Sequence, residues 1–361
     1  MQIVFIVGSL TDSHIVKRIE AFVEKGFNVD VYGYMRGVNF TNKIKQVEPK
    51  VIGILENEKY LKRIFSGFKD IRKIIKSYPK GTLYFLWGFD LSLVHWFYRT
   101  RYIYEISDIR YAQFPFGLDK LFKALDRRII KKSQITLLTS EGFVNYIGLN
   151  DSLLNKCIFM PNKLSPSMIH MDRPQPVKKV GKIRIGYIGL YRYPNTVVKM
   201  ARIIGDEFAD RYEFHFSGIS NDSKLMDDIK DLTQKYNNVF EHGPFRNPDD
   251  LQKVYATLDV VAANYDTAGI NERIAEPNKL YESIFFNKPI IVSEGTFLAD
   301  KVKRMGIGYI VGKQEQDIRL FLNDLDVDDV LEKSIKDNTI VSMNLVEDYN
   351  ELWNRINQIR K

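Results

Sequence analysis

The sequence has little of several features on which common protein classes depend. Its single cysteine, Cys157, excludes internal disulfides and a cysteine-rich zinc site, and it suits a reducing cytosol. No apolar run approaches the roughly 20 residues that a membrane span requires. The apolar segment at residues 3–7 is too short for a secretory signal, and no basic segment precedes it. We therefore expect a cytoplasmic protein.

The length and the charge distribution point to two domains with different surfaces. A chain of 361 residues with 45% hydrophobic and 27% charged residues is typical of a soluble protein of two domains. Residues 1–163 hold 26 Lys and Arg against 15 Asp and Glu, a balance of +11, whereas the remainder holds 27 against 30, a balance of −3. A polyanion or an anionic membrane surface would therefore meet the first half, and we predict no nucleic-acid partner.

The stretch from residue 259 to residue 294 predicts one strand–loop–helix–strand unit. Apolar runs at 260–263 and 289–292 indicate buried parallel strands, and the helical spacing between them predicts a helix over 279–286. A helix that begins above the carboxyl ends of parallel strands favours an anion at its first turn. Lys279 adds a cation suited to phosphate, and Glu282, one turn later, can accept two ribose hydroxyls. Phosphate and diol together indicate a nucleotide.

The same residues resemble a known family. Pro277-Asn278-Lys279-Leu280-Tyr281-Glu282, followed by Asn287-Lys288-Pro289-Ile290-Ile291, is similar to the donor-site segment of GT-B glycosyltransferases. The likeness is greatest to family 4-like bacterial enzymes that assemble capsule, exopolysaccharide or lipopolysaccharide. It implies an α/β fold of two Rossmann-like, doubly wound parallel-sheet domains facing a cleft. It also implies that this segment, with Asn278 and Leu280, binds a nucleotide sugar, Lys279 meeting the diphosphate and Glu282 the ribose.

The resemblance has one departure and extends to other donor residues. Many relatives carry a second glutamate eight positions before the first, where this sequence has Ile274, and we expect Glu276 to take its role on the donor sugar. Gly189 ends a predicted strand and would let the backbone approach a diphosphate, to which Arg192 could donate its fork of N–H groups. A surface salt bridge is the alternative for Arg192. The segment around Phe245 resembles the loop that recognises the nucleobase.

Candidate catalytic residues lie in the first half. A strand predicted over 102–109 would place Glu105 and Asp108 at its carboxyl edge, where one could take the proton from an acceptor hydroxyl. Asp108 is the first choice and Glu105 the second, although Asp108 could instead cap a loop or pair with Arg110. By resemblance, the loop with Ser9 and His14 faces the acceptor, while a packing role for His14 is the alternative. No Asp-x-Asp metal motif is evident, and we expect neither metal nor cofactor.

The predicted domain plan follows the motifs. Residues 1–163 form an acceptor-binding domain, 164–181 a linker with Pro166, Pro174 and Pro176, and 182–344 the nucleotide-sugar domain. A helix within 345–361 is expected to return to the first domain. The basic amphipathic segment 57–76 either presents a solvated face or contacts anionic lipid or a lipid-linked acceptor.

The leading prediction is a glycosyltransferase that moves a sugar from a nucleotide sugar to a glycan or lipid-linked acceptor during surface polysaccharide assembly. A base such as Asp108 would imply inversion, which we favour slightly over a retaining route. Two alternatives share the donor site: a nucleotide-sugar 2-epimerase of the same fold and a non-enzymatic protein that binds a nucleotide sugar. Either would keep Lys279 and Glu282, but neither explains the basic first half.

Overall fold

The computed structural model describes residues 1–36, 44–55, 60–114, 117–173, 181–334 and 344–360. The chain forms two compact units, the first made of Met1–Pro161 with Asp348–Lys361 and the second of Asn162–Glu347. No helix within the described ranges is both long and apolar enough to cross a lipid bilayer.

Unit 1 is built on a seven-stranded parallel sheet with the strand order β3-β2-β1-β4-β5-β6-β7. The strands are β1 (Gln2–Val7), β2 (Asn28–Arg36), β3 (Lys50–Leu55), β4 (Leu83–Trp87), β5 (Arg101–Ile106), β6 (Ile135–Leu138) and β7 (Cys157–Phe159). The helices are α1 (Ser13–Glu24), α2 (Tyr60–Lys76), α3 (Phe89–Tyr98), α4 (Leu118–Lys132), α5 (Gly142–Ile147) and α6 (Asp151–Leu154).

The core of unit 1 follows from the sequence of its strands. In β1, Ile3 to Val7 are all fully buried, as expected for a central parallel strand covered by helices on both faces. The last helix of the chain, α15 (Asn350–Arg360), adds Leu352, Trp353 and Ile356 to this core. The Trp353 ring lies 4.7 Å from Phe22 of α1, edge to face. The C-terminal helix is therefore an integral part of unit 1.

Unit 2 is built on a six-stranded parallel sheet with the order β10-β9-β8-β11-β12-β13. The strands are β8 (Ile183–Leu190), β9 (Tyr212–Ile219), β10 (Val239–Glu241), β11 (Val260–Ala263), β12 (Ile290–Ser293) and β13 (Gly308–Val311). The helices are α7 (Lys199–Glu207), α8 (Ser223–Lys235), α9 (Leu251–Ala256), α10 (Ile270–Ile274), α11 (Asn278–Phe285), α12 (Phe297–Met305), α13 (Glu315–Asp324) and α14 (Val327–Lys333). Two apolar clusters, one on each face of the sheet, form the core.

The predicted α/β fold class, with two parallel-sheet domains, is confirmed. The predicted linker at 164–181 is described only in part, since residues 174–180 lie outside the described residues. The preceding part packs into unit 2. Leu164 forms a bridge with Val346, and its amide donates to the carbonyl of Leu345. The two passages of the chain between the units therefore run side by side at Leu164 and Val346.

Candidate functional site

The predicted strand–loop–helix–strand unit is present as β11, the loop at 264–277, α11 and β12. Because β8, β11 and β12 are parallel neighbours, their carboxyl ends meet at one edge of the sheet, and α11 begins there. Pro277 precedes the helix, and no side chain caps its first turn among the described residues. The Leu280 amide donates to the Pro277 carbonyl at 3.2 Å, so the amides of Asn278 and Lys279 are the N–H groups of that turn that could meet an anion.

Lys279 lies in the first turn of α11 and is only 9% exposed. Its Nζ donates to the Tyr265 hydroxyl at 3.4 Å and lies over the rings of Tyr187 and Tyr265, 4.9 and 5.5 Å from their centroids. In the described part of the chain no carboxylate lies within ion-pair distance of this ammonium group. A buried cation without a carboxylate partner retains most of its capacity to bind an anion.

Glycines make room for this cation at the strand ends. Gly189, near the end of β8, has φ +102°, and a Cβ added there would lie 3.6 Å from Lys279 Nζ. Gly218 pairs with it across the sheet at φ +151°, and an added Cβ would overlap the Gly189 carbonyl oxygen. The Gly218 amide donates to the Gly243 carbonyl at 2.8 Å. The backbones of three neighbouring segments thus meet closely beside Lys279.

Arg192 follows β8 and is exposed. Its charge acts on the same tyrosines as Lys279. Burial raises the pKa of Tyr187 and Tyr265, and the Arg192 guanidinium partly opposes that rise at both phenols. The Tyr193 ring lies 4.8 Å from that of Tyr265. A buried cation, Lys279, and an exposed one, Arg192, therefore both lie near the tyrosines at the end of β8.

Glu282 is buried one turn after Lys279, and its carboxylate is held from three sides. The Tyr255 hydroxyl donates to Oε2 at 2.7 Å, and Asn278 Nδ2 donates to Oε1 at 2.6 Å. Asn247 Nδ2 lies 3.5 Å from Oε1. Burial, followed by the Glu282 charge, raises the pKa of Tyr255 well above its ordinary value. The carboxylate is fixed in position and keeps lone pairs for further donors.

Glu276 lies in a different environment from Glu282. Its side chain is fully buried, Oε1 accepts from the Tyr281 hydroxyl, and Oε2 lies 2.6 Å from Lys301 Nζ of α12. Leu280 is buried in one of the two core clusters of unit 2 and anchors α11 to it. Phe245 is half-buried against the same core cluster, in the loop that Asn247 connects to Glu282. The predicted donor residues of unit 2 thus surround α11, with Glu276 held on the α12 side.

In unit 1, Glu105 is part of a buried ion pair. The Nε and Nη2 atoms of Arg18 donate to its two oxygens at 3.1 and 3.0 Å, and both side chains are fully buried. His14 Nε2 lies 3.2 Å from Glu105 Oε1 and 3.3 Å from Arg18 Nη2, with its ring edge-on to Trp87. Burial alone would raise the pKa of Glu105, but Arg18 and His14 outweigh it and hold that pKa below its ordinary value. Glu105 is therefore an ionised partner of His14 and Arg18.

Asp108 lies beyond the strand on which it was predicted. Strand β5 ends at Ile106, and Asp108 belongs to the loop before the 3-10 turn Arg110–Gln113. Its side chain is 42% exposed, and its Oδ2 lies 3.8 Å from Arg110. Ser9 is buried after β1, with its Oγ 3.5 Å from Thr11 Oγ1. His14, Glu105 and Asp108 lie near the carboxyl edge of the unit 1 sheet, whereas the donor residues lie in unit 2.

Several residues of the site were not predicted from the sequence. Tyr187, Tyr265 and Tyr255 hold Lys279 and Glu282, but each lies 14 or more residues from its partner along the chain. Only the position of Tyr187 and Tyr265 near the ends of apolar strands could have indicated them. Among the described residues, no group of three or more His, Cys, Asp and Glu side chains is arranged to hold a metal ion.

Sequence comparison gives one clear relative. No family model matches the chain. The chain is 22% identical over 334 residues to the succinoglycan biosynthesis protein ExoL of Rhizobium meliloti (strain 1021), and the match covers 86% of this chain and 81% of that protein. This similarity spans both units.

Structural comparison covers the whole chain at low sequence identity. Sucrose-phosphate synthase from Thermosynechococcus elongatus matches with a TM-score of 0.69 at 13% identity, covering 100% of this chain and 98% of that one. Anabaena Alr3699/HepE in complex with UDP and glucose gives 0.66 at 13% identity, covering 99% and 98%. The lipopolysaccharide outer core galactosyltransferase WaaB, in its apo form, gives 0.62 at 14% identity, covering 99% of each chain. With its two parallel-sheet units, this chain has the GT-B fold.

Proposed function

We propose that the protein is a glycosyltransferase that moves a sugar from a nucleoside-diphosphate sugar to a glycan or lipid-linked acceptor in surface polysaccharide assembly. The observation that carries the proposal is the buried Lys279 ammonium, which has no carboxylate partner in the described part of the chain and lies beside Gly189 at the start of α11. Similarity to a succinoglycan biosynthesis protein and to a fold neighbour solved with UDP and glucose supports it.

The chemistry follows from the charges at α11. When the glycosidic bond to the diphosphate breaks, negative charge develops on the departing β-phosphate. Lys279, Arg192 and the amides of Asn278 and Lys279 at the start of α11 would stabilise that charge. Catalysis would then come mainly from positioning and electrostatic stabilisation.

Glu282 would bind the ribose. Its Oε2 accepts only the Tyr255 hydroxyl among the described residues, so that oxygen can still accept a ribose hydroxyl. Asn278 and Asn247 approach Oε1, and Asn247 belongs to the loop that carries Phe245. The carboxylate, the helix start and the Phe245 loop would thus take the ribose, the diphosphate and the base respectively.

Two groups of unit 1 are candidates for the base that inversion requires. Asp108 is the first, because its exposed carboxylate at the end of the sheet can reach an acceptor hydroxyl. His14 takes the second place that the sequence assigned to Glu105, because Glu105 is fully buried in its ion pair with Arg18. Glu105 would instead orient the His14 imidazole as a carboxylate orients the histidine of a triad. Replacing the true base by asparagine should abolish transfer and leave donor affinity unchanged. Full activity in both variants would favour the retaining route.

An anionic membrane surface is the proposed second partner of unit 1. The Phe97 ring of α3 is 58% exposed and lies 5.5 Å from Phe68 of α2 and 4.9 Å from Trp96. Lys132 of α4 extends over Trp96, 4.8 Å from its ring centroid. Exposed cations lie on or next to the same three helices, Lys69, Arg72 and Lys73 on α2, Arg99 after α3, and Arg128 and Lys131 on α4. Aromatic rings flanked by lysine and arginine suit a headgroup layer of anionic lipid.

A thermal-shift screen of UDP, GDP, CDP, ADP and their sugars tests the donor site. One diphosphate should raise the melting temperature of the wild type but not that of Lys279→Ala. Lys303→Ala is the matched control, since Lys303 is an exposed lysine of the same unit on α12. No shift with any nucleotide would refute the proposal. A shift without sugar transfer to any acceptor would favour a nucleotide-sugar-binding protein or an epimerase.

A further inference from the structure

The resemblance implies a glutamate that contacts the donor sugar, but Ile274 stands at its position in this sequence. Glu276 was the expected substitute, but its oxygens are engaged by the Tyr281 hydroxyl and the Lys301 ammonium, and its side chain has no exposed surface. Because the Glu276 side chain has no exposed surface, a sugar hydroxyl could reach its carboxylate only if neighbouring side chains moved. Glu276 therefore has the environment of a residue that fixes the loop between α10 and α11.

Glu272, four residues earlier on α10, has the opposite environment. The residue is half-buried, and its Oε2 atom is shielded from solvent but has no hydrogen-bond partner in the described ranges. Burying a carboxylate oxygen without a hydrogen-bond donor costs folding free energy. A ligand that donates a hydrogen bond to this oxygen therefore binds more favourably. Such an atom in a native structure needs an explanation, and a ligand that donates a hydrogen bond supplies one.

A second acceptor lies at the end of β11. Asn264 directly follows the strand and is 3% exposed, and its Oδ1 has no partner among the described residues. The next residue is Tyr265, whose hydroxyl contacts Lys279. The charge of Glu272 adds to the burial that raises the pKa of Tyr265, whereas that of Arg192 opposes it. Glu272 and Asn264 are therefore both neighbours of Tyr265, the tyrosine whose hydroxyl contacts Lys279.

We propose that Glu272 Oε2 and Asn264 Oδ1 accept hydrogen bonds from hydroxyls of the donor sugar, and that Glu276 instead positions the loop before α11. This inference rests on the proposed nucleotide-sugar site. Two acceptors, one of them anionic, suit a neutral, hydroxylated sugar and disfavour a sugar that carries a carboxylate. The predicted donor class is therefore a neutral hexose or N-acetylhexosamine attached to a nucleoside diphosphate.

A structural role for Glu272 would predict different behaviour. Glu272 is the third residue of α10, and its carboxylate folds back over Gly269, which precedes the helix and where an added Cβ would overlap Oε2. A residue that only stabilised the start of α10 would affect the melting temperature and every ligand alike. A residue that contacts the sugar would affect sugar-containing ligands only.

The test compares UDP-glucose with UDP, or the corresponding pair if the nucleotide screen selects another base. Glu272→Gln should weaken UDP-glucose binding at least tenfold while the Kd for UDP changes less than twofold, and its melting temperature should not fall. Asn264→Ala should show the same split between the two ligands. Gly269→Ala displaces the Glu272 carboxylate without removing it. Its affinity for UDP-glucose should therefore lie between those of the wild type and Glu272→Gln. UDP-glucuronic acid should bind more weakly than UDP-glucose to the wild type. Its affinity should rise in Glu272→Gln, because the like charge on Glu272 is removed.

Glu276→Gln is the matched contrast on the same loop. Loss of its ion pair with Lys301 should lower the melting temperature and weaken UDP and UDP-glucose in equal proportion. If Glu276→Gln alone separated the two ligands, or if Glu272→Gln weakened both equally or neither, the assignment of Glu272 would be wrong. A wild type that bound no nucleotide would refute the proposed function itself and this inference with it.

Discussion

At the scale of single residues, the site depends on buried charges whose partners differ in kind. Lys279 is surrounded by phenol rings and a hydroxyl, Glu276 by a lysine, and Glu105 by an arginine and a histidine. A buried ion pair is largely satisfied within the protein, whereas a cation that faces only aromatic rings can still attract an anion. The partners of each charge therefore separate Glu276 and Glu105, which are satisfied within the protein, from Lys279, the residue proposed to bind a ligand.

The Arg18–Glu105 pair gives a direct test of that distinction. Arg18→Met should lower the free energy of unfolding by about 3–5 kcal/mol, because it leaves the Glu105 carboxylate buried without its main counter-charge. The double variant Arg18→Met with Glu105→Met should recover most of that loss. The measurement is denaturant unfolding followed by near-ultraviolet signals of unit 1. A double variant no more stable than the single one would contradict the explanation.

Asp126 predicts a pH dependence of stability. It is fully buried in α4 and accepts from the hydroxyls of Tyr104 and Tyr111 at 2.8 and 2.7 Å. Burial raises the pKa of Asp126 to about 6, against the opposing effect of those two hydrogen bonds. Because the native pKa lies above the ordinary value, the folded state gains stability below about pH 4 and loses it as the pH rises through about 6.

The comparison with Asp126→Asn isolates this effect. The free energy of unfolding of the wild type, relative to that of the variant, should fall by about 2 kcal/mol between pH 4 and pH 7. Taking the difference removes the contributions of other carboxylates. A difference that stayed constant over this range would mean that Asp126 is ionised normally in the folded protein.

At the scale of elements, the strand–loop–helix–strand unit could be predicted closely from the sequence. Strand β11 has the predicted bounds, and α11 and β12 differ from prediction by one residue at either end. Apolar runs and helical spacing act locally, so they are visible in the sequence. The strand predicted over 102–109 ends at Ile106 instead, since the polar residues Ser107 and Asp108 leave the sheet.

Contacts between distant segments could not be predicted. Glu276 and Lys301 are 25 residues apart, and Glu105 and Arg18 are 87 apart, so only the folded chain shows that they pair. The same applies to Tyr255, which fixes Glu282 from α9 across 27 residues. The sequence indicates which charged residues are candidates at the proposed donor segment. It does not show which of them already have hydrogen-bond or ion-pair partners within the protein.

The glycine contact between β8 and β9 predicts a specific intolerance to substitution. Gly218→Ala adds a Cβ that overlaps the Gly189 carbonyl, in a backbone conformation that non-glycine residues rarely adopt. At a cost of about 3 kcal/mol, the melting temperature of unit 2 should fall by about 6–12 °C. Gly243→Ala, at φ +76° with open space around it, should cost about 2–4 °C. If calorimetry showed that both substitutions lower the melting temperature equally, the ends of β8 and β9 would have to lie further apart than the structure shows.

At the scale of the whole molecule, charge and chemistry are divided between the units. Residues 1–163 carry the positive excess. The aromatic ridge formed by the rings of Phe68, Trp96 and Phe97, with Lys132 over Trp96, lies within them. The residues proposed to bind the nucleotide lie in unit 2, whose residues have a slight negative balance. This division suits a protein that takes a soluble donor on one unit and works beside an anionic surface on the other.

Vesicle binding tests the role of the ridge. The protein should sediment with phosphatidylglycerol vesicles but not with phosphatidylcholine vesicles, and less at 0.5 M salt than at 0.05 M, because screening weakens the attraction. Phe97→Ser and Lys132→Glu should each reduce binding about threefold to tenfold. Leu320→Ser is the control, since Leu320 is 53% exposed in unit 2. Binding that ignored lipid charge, or was reduced as much by Leu320→Ser, would contradict the assignment.

The central claim is that Lys279, Gly189 and the start of α11 form a diphosphate site. A crystal structure with the nucleoside diphosphate that stabilises the protein most would test it directly. We predict the β-phosphate within hydrogen-bond distance of Lys279 Nζ and the first-turn amides of α11, and the ribose hydroxyls on Glu282. A diphosphate bound elsewhere, with Lys279 still enclosed by Tyr187 and Tyr265 alone, would contradict the account.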